Sequence, residues 1–79
     1  MLKRKHKEIR KLILENLKDK ILSINEISTS IKSKWNVANN HLIWLKGKEF
    51  VKETMTHRRL RLFEITKKGK EYLKKMKNV

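Results

Sequence analysis

The sequence contains no cysteine and no proline, and only two of its 79 residues are glycine. Without cysteine the chain forms no disulfide and offers no thiolate to a metal ion, which fits a reducing compartment. No linker and no internal repeat divides the chain. We therefore expect one domain over residues 1–79, with a small core that buries roughly 60% of the unfolded surface.

Long hydrophobic runs are absent as well. The longest stretch without a charged side chain is residues 35–45, and it contains three asparagines and a histidine. It is too short and too polar to cross a bilayer, which takes about 20 apolar residues in a helix. The basic N-terminus is not followed by the apolar core of a signal peptide, so we expect a cytoplasmic protein without a membrane partner.

Acidic residues are scarce, because the chain has 8 acidic against 22 basic side chains and a net charge of +14. A field of this sign attracts polyanions, and nucleic acid is the most common of them. The alternative is that solvated lysines merely keep a small protein in solution. An imbalance this large favours a nucleic-acid partner and a location on the nucleoid.

Apolar residues recur at helical spacing in four segments. We predict helices over Arg4–Asp19, over Ile24–Lys32, from a cap at Ser33 or Asn36 to a stop at Gly47, and over Lys67–Lys77. Ser23 and Glu26 have the spacing of a capping box for the second helix, and Thr66 can cap the last one. The chain is therefore expected to be mainly helical.

Shorter apolar segments predict strands at Ile21–Leu22, Phe50–Thr54 and Leu60–Ile65, with a turn at Met55–Arg59. We call residues 50–65 the wing. The alternation of Leu60 and Leu62 with Phe63 and Ile65 indicates either a bulge or leucines exposed for a partner. Three helices, a two-stranded wing and a C-terminal helix predict a winged helix-turn-helix fold of the α+β class.

Two motifs in this order carry a family resemblance. Residues 41–51, HLIWLKGKEFV, resemble the HLxxLxxxGLV segment of ArsR- and MarR-type transcriptional regulators. Residues 63–73, FEITKKGKEYL, resemble the YxLTxxGxxxL ending of many small archaeal and bacterial winged-helix proteins. The resemblance covers nearly the whole chain and implies a DNA-binding regulator.

The sequence departs from the family pattern in two places. Glu49 stands where the family has glycine, with Gly47 two residues earlier, so we expect a shifted or looser turn between the third helix and the wing. The metal-sensing branch of the family uses cysteines, and this chain has none. The resemblance therefore does not imply metal sensing.

The candidate DNA contacts lie in the third helix and the wing. We predict the following set: Lys32, Lys34, Trp35, Asn36, Asn39, Asn40, Ile43, Arg58, Arg59 and Arg61. Asparagine can bond adenine through N6 and N7, and basic side chains bind phosphates, while an arginine can also enter a narrow minor groove. Residues 21–45 hold two basic and one acidic side chain, against six and two in residues 46–62. This contrast favours a base-reading helix beside a phosphate-binding wing.

Each of these candidates has a structural alternative. Asn36 can serve only as a helix cap, Trp35 can close the turn before the helix, and wing arginines can protect an exposed hairpin from edge pairing. The inward face of the third helix is expected to comprise Ala38, His41 or Leu42, and Leu45. Trp44 is expected to pack near the wing.

Nothing in the sequence predicts an enzyme, a metal site, a cofactor or a small-molecule effector. His41 is expected to be a structural histidine because its neighbours are apolar. We predict sequence-specific binding to double-stranded DNA by a transcriptional regulator. The alternatives are a winged-helix protein interaction module and a non-specific nucleic-acid-binding protein.

A homodimer formed by the N- and C-terminal helices is also predicted, since so small a domain has little core. Its contacts would come from apolar residues that we expect the core to leave uncovered. These residues are Leu2, Leu14, Tyr72, Met76 and Val79. A two-fold pair of this kind would place two reading helices about 34 Å apart on DNA.

Overall fold

The computed structural model describes residues 6–55 and 61–77. Its elements are α1 (His6–Leu17), β1 (Leu22–Ser23), α2 (Ile24–Ser30), α3 (Trp35–Gly47), β2 (Val51–Met55), β3 (Arg61–Ile65) and α4 (Lys67–Lys77). The order of helices and strands confirms the predicted winged helix-turn-helix arrangement. Among the described residues, the element ends differ from the predicted ones by one or two residues in most cases.

The strands form an antiparallel sheet in the order β1–β3–β2. The pairing of β2 with β3 runs without interruption from Val51↔Ile65 to Met55↔Arg61, so these strands contain no bulge. Phe63 and Ile65 point into the core, while Leu62 is half-buried on the other face. Leu60 lies outside the described residues.

The core lies where α1, α2 and α3 meet the sheet. Its fully buried side chains are Phe63, Ile13, Leu14, Leu17, Ile27, Ile31, Leu42, Leu45 and Val51. The prediction that the core leaves Leu14 uncovered is wrong, because its side chain is 0% exposed. It fits there because α1 buries Ile13 and Leu14 together, which widens its apolar stripe beyond the spacing that we assumed.

The start of α2 has the predicted capping box. The Glu26 amide donates to Ser23 Oγ (3.2 Å), and the Ser23 amide donates to Glu26 Oε1 (2.9 Å). The helix ends at Ser30 rather than Lys32, because Lys32 has φ of 53°. The Lys32 and Ser33 amides turn back to the Thr29 and Ser28 carbonyl oxygens, which is a Schellman termination.

Both predicted caps of α3 are wrong. The residue at the N-cap is Lys34, and its side chain makes no capping hydrogen bond. Ser33 is taken up by the turn that ends α2, where its amide bonds the Ser28 carbonyl oxygen. Asn36 already lies within the helix. The first turn of α3 therefore has no capping hydrogen bond from the side chain of its N-cap residue.

The helix ends at Gly47 as predicted, but Gly47 has no positive φ and so does not take the left-handed conformation typical of a terminating glycine. Glu49 takes the left-handed conformation, with φ of 65°. The Phe50 amide bonds the Leu45 carbonyl oxygen, and the Glu49 amide bonds that of Lys46, as in a Schellman motif. The turn is thus the one that a glycine would make, with a glutamate in the glycine position.

Thr66 caps α4 as predicted, and its Oγ1 accepts from the Gly69 amide at 3.0 Å. The same hydroxyl donates to the Glu49 carbonyl oxygen at 2.6 Å. A Cβ at Gly69 would overlap the Phe50 carbonyl oxygen and lie 2.8 Å from Ile65 Cγ1. Glycine at this position therefore lets α4 dock directly on the turn that follows α3.

Candidate nucleic-acid interface

The two sides of α3 differ sharply in burial. The buried residues of α3 are those predicted for its inward face: Ala38, His41, Leu42 and Leu45. His41 and Leu42, which we offered as alternatives, are both buried. Asn36, Asn40 and Ile43 lie on the opposite side, at the i, i+4 and i+7 spacing of a single helix face. We call these three residues the outer face of α3.

The outer face of α3 is exposed to solvent. Asn36 and Asn40 are both exposed, and Ile43 is 58% exposed. Within residues 6–55 and 61–77, neither asparagine side chain has a hydrogen-bond partner. An exposed carboxamide with two free donors and a free acceptor can bond the edge of a base, since it gives up no internal hydrogen bond to do so.

Cationic side chains lie beside the N-terminal end of this face. Lys32 and Lys34 are both exposed in the turn between α2 and α3. Trp35, the first residue of α3, is 48% exposed. About half of the Trp35 side chain is therefore accessible to a ligand. The helix start thus combines two ammonium groups and an accessible indole, which suits contact with a sugar-phosphate backbone.

A polar network joins α3 to the wing at the edge of the outer face. Arg61 Nη1 donates to Asn39 Oδ1 at 3.3 Å, while its Nε and Nη2 donate to Glu53 Oε2 (3.0 Å) and Oε1 (3.4 Å). Lys46 Nζ also bonds Glu53 Oε1, at 3.1 Å. We call these four residues the wing network. It fixes the position of β2 and β3 relative to α3.

Glu53 is the anion of the wing network. Hydrogen bonds from Arg61 and Lys46 hold the pKa of its carboxyl below the usual range. The carboxylate offsets part of the charge of both cations, so the wing edge facing α3 is less positive than the sequence predicts. Asn39 and Arg61 are therefore brought together, but in this conformation they contact each other.

Sequence reasoning missed Glu53 and Lys46. A usable signal was the strand register, because Glu53 pairs with Phe63 and Arg61 lies two residues before Phe63. Diagonal neighbours on an antiparallel pair lie on the same face and within reach of long side chains. An opposite charge at that diagonal predicts an ion pair once the register is known.

A shallow pocket of about 380 Å³ lies between α3 and β3. Its lining includes Ile43 from the outer face and both Lys46 and Arg61 from the wing network. The outer face and the wing network therefore form one continuous surface.

The histidine on the inward side of α3 is structural. His41 is 6% exposed, and its Nδ1 accepts from Arg10 Nε at 3.3 Å. Burial, and then the Arg10 and His6 charges, lower the pKa of its imidazole. The Arg10 guanidinium also lies 3.8 Å from the centre of the Trp44 ring. Trp44 thus contacts Arg10 of α1 and Phe50 at the start of the wing, whose ring centre lies 6.1 Å from its own, which agrees with the expected packing near the wing.

Two of the predicted contacts, Arg58 and Arg59, lie outside the described residues. In the described part of the wing, Lys52 pairs with Glu64 at 3.2 Å. No group of three or more potential metal ligands occurs among residues 6–55 and 61–77. No helix of the same residues is long and apolar enough to cross a membrane.

Comparison with known proteins identifies the fold. Residues 3–79 match the family model described as winged helix-turn-helix. No curated protein matches the chain in sequence.

Several solved structures share the fold. BldR, a transcriptional regulator from Sulfolobus solfataricus, has a TM-score of 0.86 at 20% identity, over 91% of this chain and 53% of that one. A ZitR variant from Lactococcus lactis, solved in complex with DNA, has a TM-score of 0.77 at 21% identity, over 89% and 49%. The adhesin competence repressor AdcR from Streptococcus pyogenes has a TM-score of 0.81 at 15% identity, over 89% and 53%. The chain spans about half the length of these proteins.

ZitR is described as a zinc-responsive MarR family member. The predicted resemblance to MarR-type and archaeal winged-helix regulators is therefore confirmed at the level of the fold.

Proposed function

The chain belongs to the winged helix-turn-helix family, and from that premise we propose that it binds double-stranded DNA in a sequence-specific manner and regulates transcription. The observation that carries the proposal is the outer face of α3. It presents exposed carboxamides that have no hydrogen-bond partner in the described part of the chain, on a helix whose start is flanked by exposed lysines. The family match and the regulator structures agree with the expectation that the chain is not an enzyme.

In the proposed complex α3 enters the major groove and the wing lies on the adjacent backbone. The outer face contacts base edges, and Lys32, Lys34 and Trp35 contact the sugar-phosphate backbone at the start of α3. Arg58 and Arg59 bind phosphates from the wing, or one of them enters the minor groove. Phosphate contacts set the register and base contacts set the sequence.

Asn39 and Arg61 remain in the proposed site with a refined role. A guanidinium has five N–H donors, and Arg61 uses three contacts within the wing network. Donors are left over for a phosphate while Glu53 and Asn39 hold the side chain in place. Asn39 uses its acceptor oxygen in this network, so we assign base reading to Asn36 and Asn40 first.

The homodimer through the terminal helices also remains a proposal, with weaker support. Leu14 is buried in the core, and Leu2 and Val79 lie outside the described residues. Tyr72 stacks on Phe50 with ring centres 4.2 Å apart, so its ring is already in use within the fold. Among the described residues of the predicted set, Met76 is half-buried and lies outside the buried core. Sedimentation equilibrium with and without DNA tests it, and a monomer mass in both would exclude it.

The salt dependence of binding tests the proposed function. If five to eight cations meet phosphates, the log–log plot of the association constant against salt has a slope of roughly −4 to −7 per monomer. Fluorescence anisotropy of a labelled duplex gives this slope. A flat response would contradict DNA binding and favour a protein partner. Equal affinity for selected and random duplexes would favour non-specific coating.

A further inference from the structure

The chemistry of the outer face of α3 is narrower than that of a general DNA-binding helix. It consists of two carboxamides, from Asn36 and Asn40, and the aliphatic side chain of Ile43. None of the three is charged. In the major groove, asparagine pairs with adenine N6 and N7, and an aliphatic group contacts the thymine methyl group. Guanine is read mainly by arginine or lysine, and cytosine by a carboxylate.

The charged groups at the wing edge of this face are already engaged. Arg61 makes three hydrogen bonds to Glu53 and Asn39. Lys46, three residues after Ile43 on α3, is paired with the Glu53 carboxylate at 3.1 Å. Reading guanine with either cation would compete with the wing network, whereas an exposed carboxamide has no competing hydrogen bond among the described residues. In the described conformation, the outer face of α3 therefore favours contacts to A·T pairs.

Ile43 supplies an independent observation. Its side chain is 58% exposed although the chain buries Leu42 beside it to 1%. Exposure of a large aliphatic group to water is unfavourable, and contact with a thymine methyl group would remove part of that surface from water. More than half of the Ile43 side chain is therefore available for contact with a ligand.

The three side chains of the outer face of α3 span a short run of base pairs. With a rise of about 1.5 Å per residue, Asn40 and Ile43 are separated along the helix axis by roughly 4.5 Å, and Asn36 and Asn40 by roughly 6 Å. Successive base pairs of B-DNA are about 3.4 Å apart. The whole face thus covers on the order of three to four base pairs.

We propose that the outer face of α3 selects a short run of A·T pairs in the major groove, with Asn36 and Asn40 bonding adenine and Ile43 contacting a thymine methyl group. This specificity rests on the proposed DNA binding. It names the class of site that the chain should choose, and it assigns Ile43 as a specificity-determining residue.

Three duplexes with the same flanks and different cores test the proposal by fluorescence anisotropy. The cores contain A·T pairs, G·C pairs and inosine·C pairs. Inosine lacks the minor-groove amine of guanine, so an inosine·C pair resembles A·T in the minor groove and G·C in the major groove. We expect the A·T core to bind roughly tenfold more tightly than both others. Equal binding of the A·T and inosine·C cores would place the preference in the minor groove and overturn the proposal.

Replacing thymine by uracil in the A·T core removes only the methyl group. The wild-type protein should lose about two- to fivefold in affinity, and Ile43→Ala should bind both versions equally. Asn40→Ala should lose most of the preference for A·T over G·C. Lys34→Ala is the matched control, because it should weaken binding to all three duplexes by the same factor and leave the order of their affinities unchanged.

The outcomes separate the inference from its premise. Salt-dependent binding that is equal for all cores, or tighter for G·C, would overturn the A·T assignment and leave DNA binding intact. Absence of binding to every duplex would overturn both. A uracil effect that persists in Ile43→Ala would remove Ile43 from the proposal alone.

Discussion

Leu42 and Ile43 are neighbours in sequence with side chains of the same size, yet Leu42 is 1% exposed and Ile43 is 58% exposed. A helix turns about 100° per residue, so adjacent positions can face the core and the solvent. Burial of Leu42 in the core stabilises the fold, whereas most of the Ile43 side chain makes no such contribution. The contrast separates the part of α3 that holds the fold together from the part that is free to bind a ligand.

The largest expected difference is between Leu42→Ala and Ile43→Ala. Leu42→Ala removes buried atoms and leaves a cavity, so we expect a loss of about 2–5 kcal/mol in the free energy of unfolding. Ile43→Ala should change it by less than about 0.5 kcal/mol. Urea denaturation followed by tryptophan fluorescence measures both. Similar losses for the two variants would show that Ile43 also supports the fold.

The two glycines extend the comparison to the end of α3. In Gly69→Ala the new Cβ would overlap the Phe50 backbone, which cannot move without disturbing the turn after α3. We expect a loss of about 1–3 kcal/mol. At Gly47 no atom lies within 4 Å of the added Cβ, and alanine should stabilise the helix by roughly 0.5–1 kcal/mol. Thermal melts of the two variants should therefore shift in opposite directions.

A smaller gain in the free energy of unfolding is expected from Glu49→Gly. Glu49 holds φ of 65° at the position where the family pattern has glycine, and a left-handed conformation costs a non-glycine residue about 1–2 kcal/mol. The exposed contact with Lys68 at 3.7 Å offsets little of this. We expect a net gain of about 1 kcal/mol in urea denaturation. Glu49→Ala is the control, since it removes the carboxylate and keeps the strain; an equal gain there would contradict the backbone explanation.

The smallest expected effect concerns pH and the inner face of α3. The pKa of His41 is lowered from the usual 6.5 by burial and by the Arg10 and His6 charges. At a pH between the folded and unfolded pKa values of His41, the unfolded state binds more protons than the folded state. The contribution of His41 to the free energy of unfolding is therefore fully present above a pH of about 6.5 and is lost as pH falls toward the folded pKa. Protonation also removes the Nδ1 acceptor that Arg10 uses.

Urea midpoints measured from pH 7.5 down to pH 5 test this dependence. His41→Gln serves as the control because it keeps a polar side chain and removes the titration. We expect a smaller decline in the variant than in the wild-type protein. An equal decline would assign the effect to other groups.

Much of the fold follows from local sequence. The Ser23–Glu26 capping box, the Thr66 cap and the inward face of α3 each depend on residues within a few positions of one another, and each was predictable. The start of α3 was not. Ser33 is a better cap than Lys34 by residue type, but the turn that ends α2 uses the Ser33 amide and moves the cap by one residue.

The site was predictable only in part. The exposed positions of Asn36, Asn40 and Ile43 follow from helical periodicity once the inward face is known. The link from Asn39 to Arg61 joins residues that are 22 positions apart, and its geometry depends on strand register. Long-range contacts of this kind cannot be inferred from local sequence pattern. For this reason we predicted that both residues contact DNA and did not predict that they contact each other.

The most direct test of the account compares Asn40→Ala with Lys34→Ala in binding to a duplex selected from a random pool and to a random duplex. We predict that Asn40→Ala lowers the ratio of the two affinities by roughly five- to a hundredfold, as expected for a lost bidentate base contact. Lys34→Ala should weaken both duplexes by the same factor and leave the ratio unchanged. If Asn40→Ala also left the ratio unchanged, the outer face of α3 would not read bases, and the central claim would be contradicted.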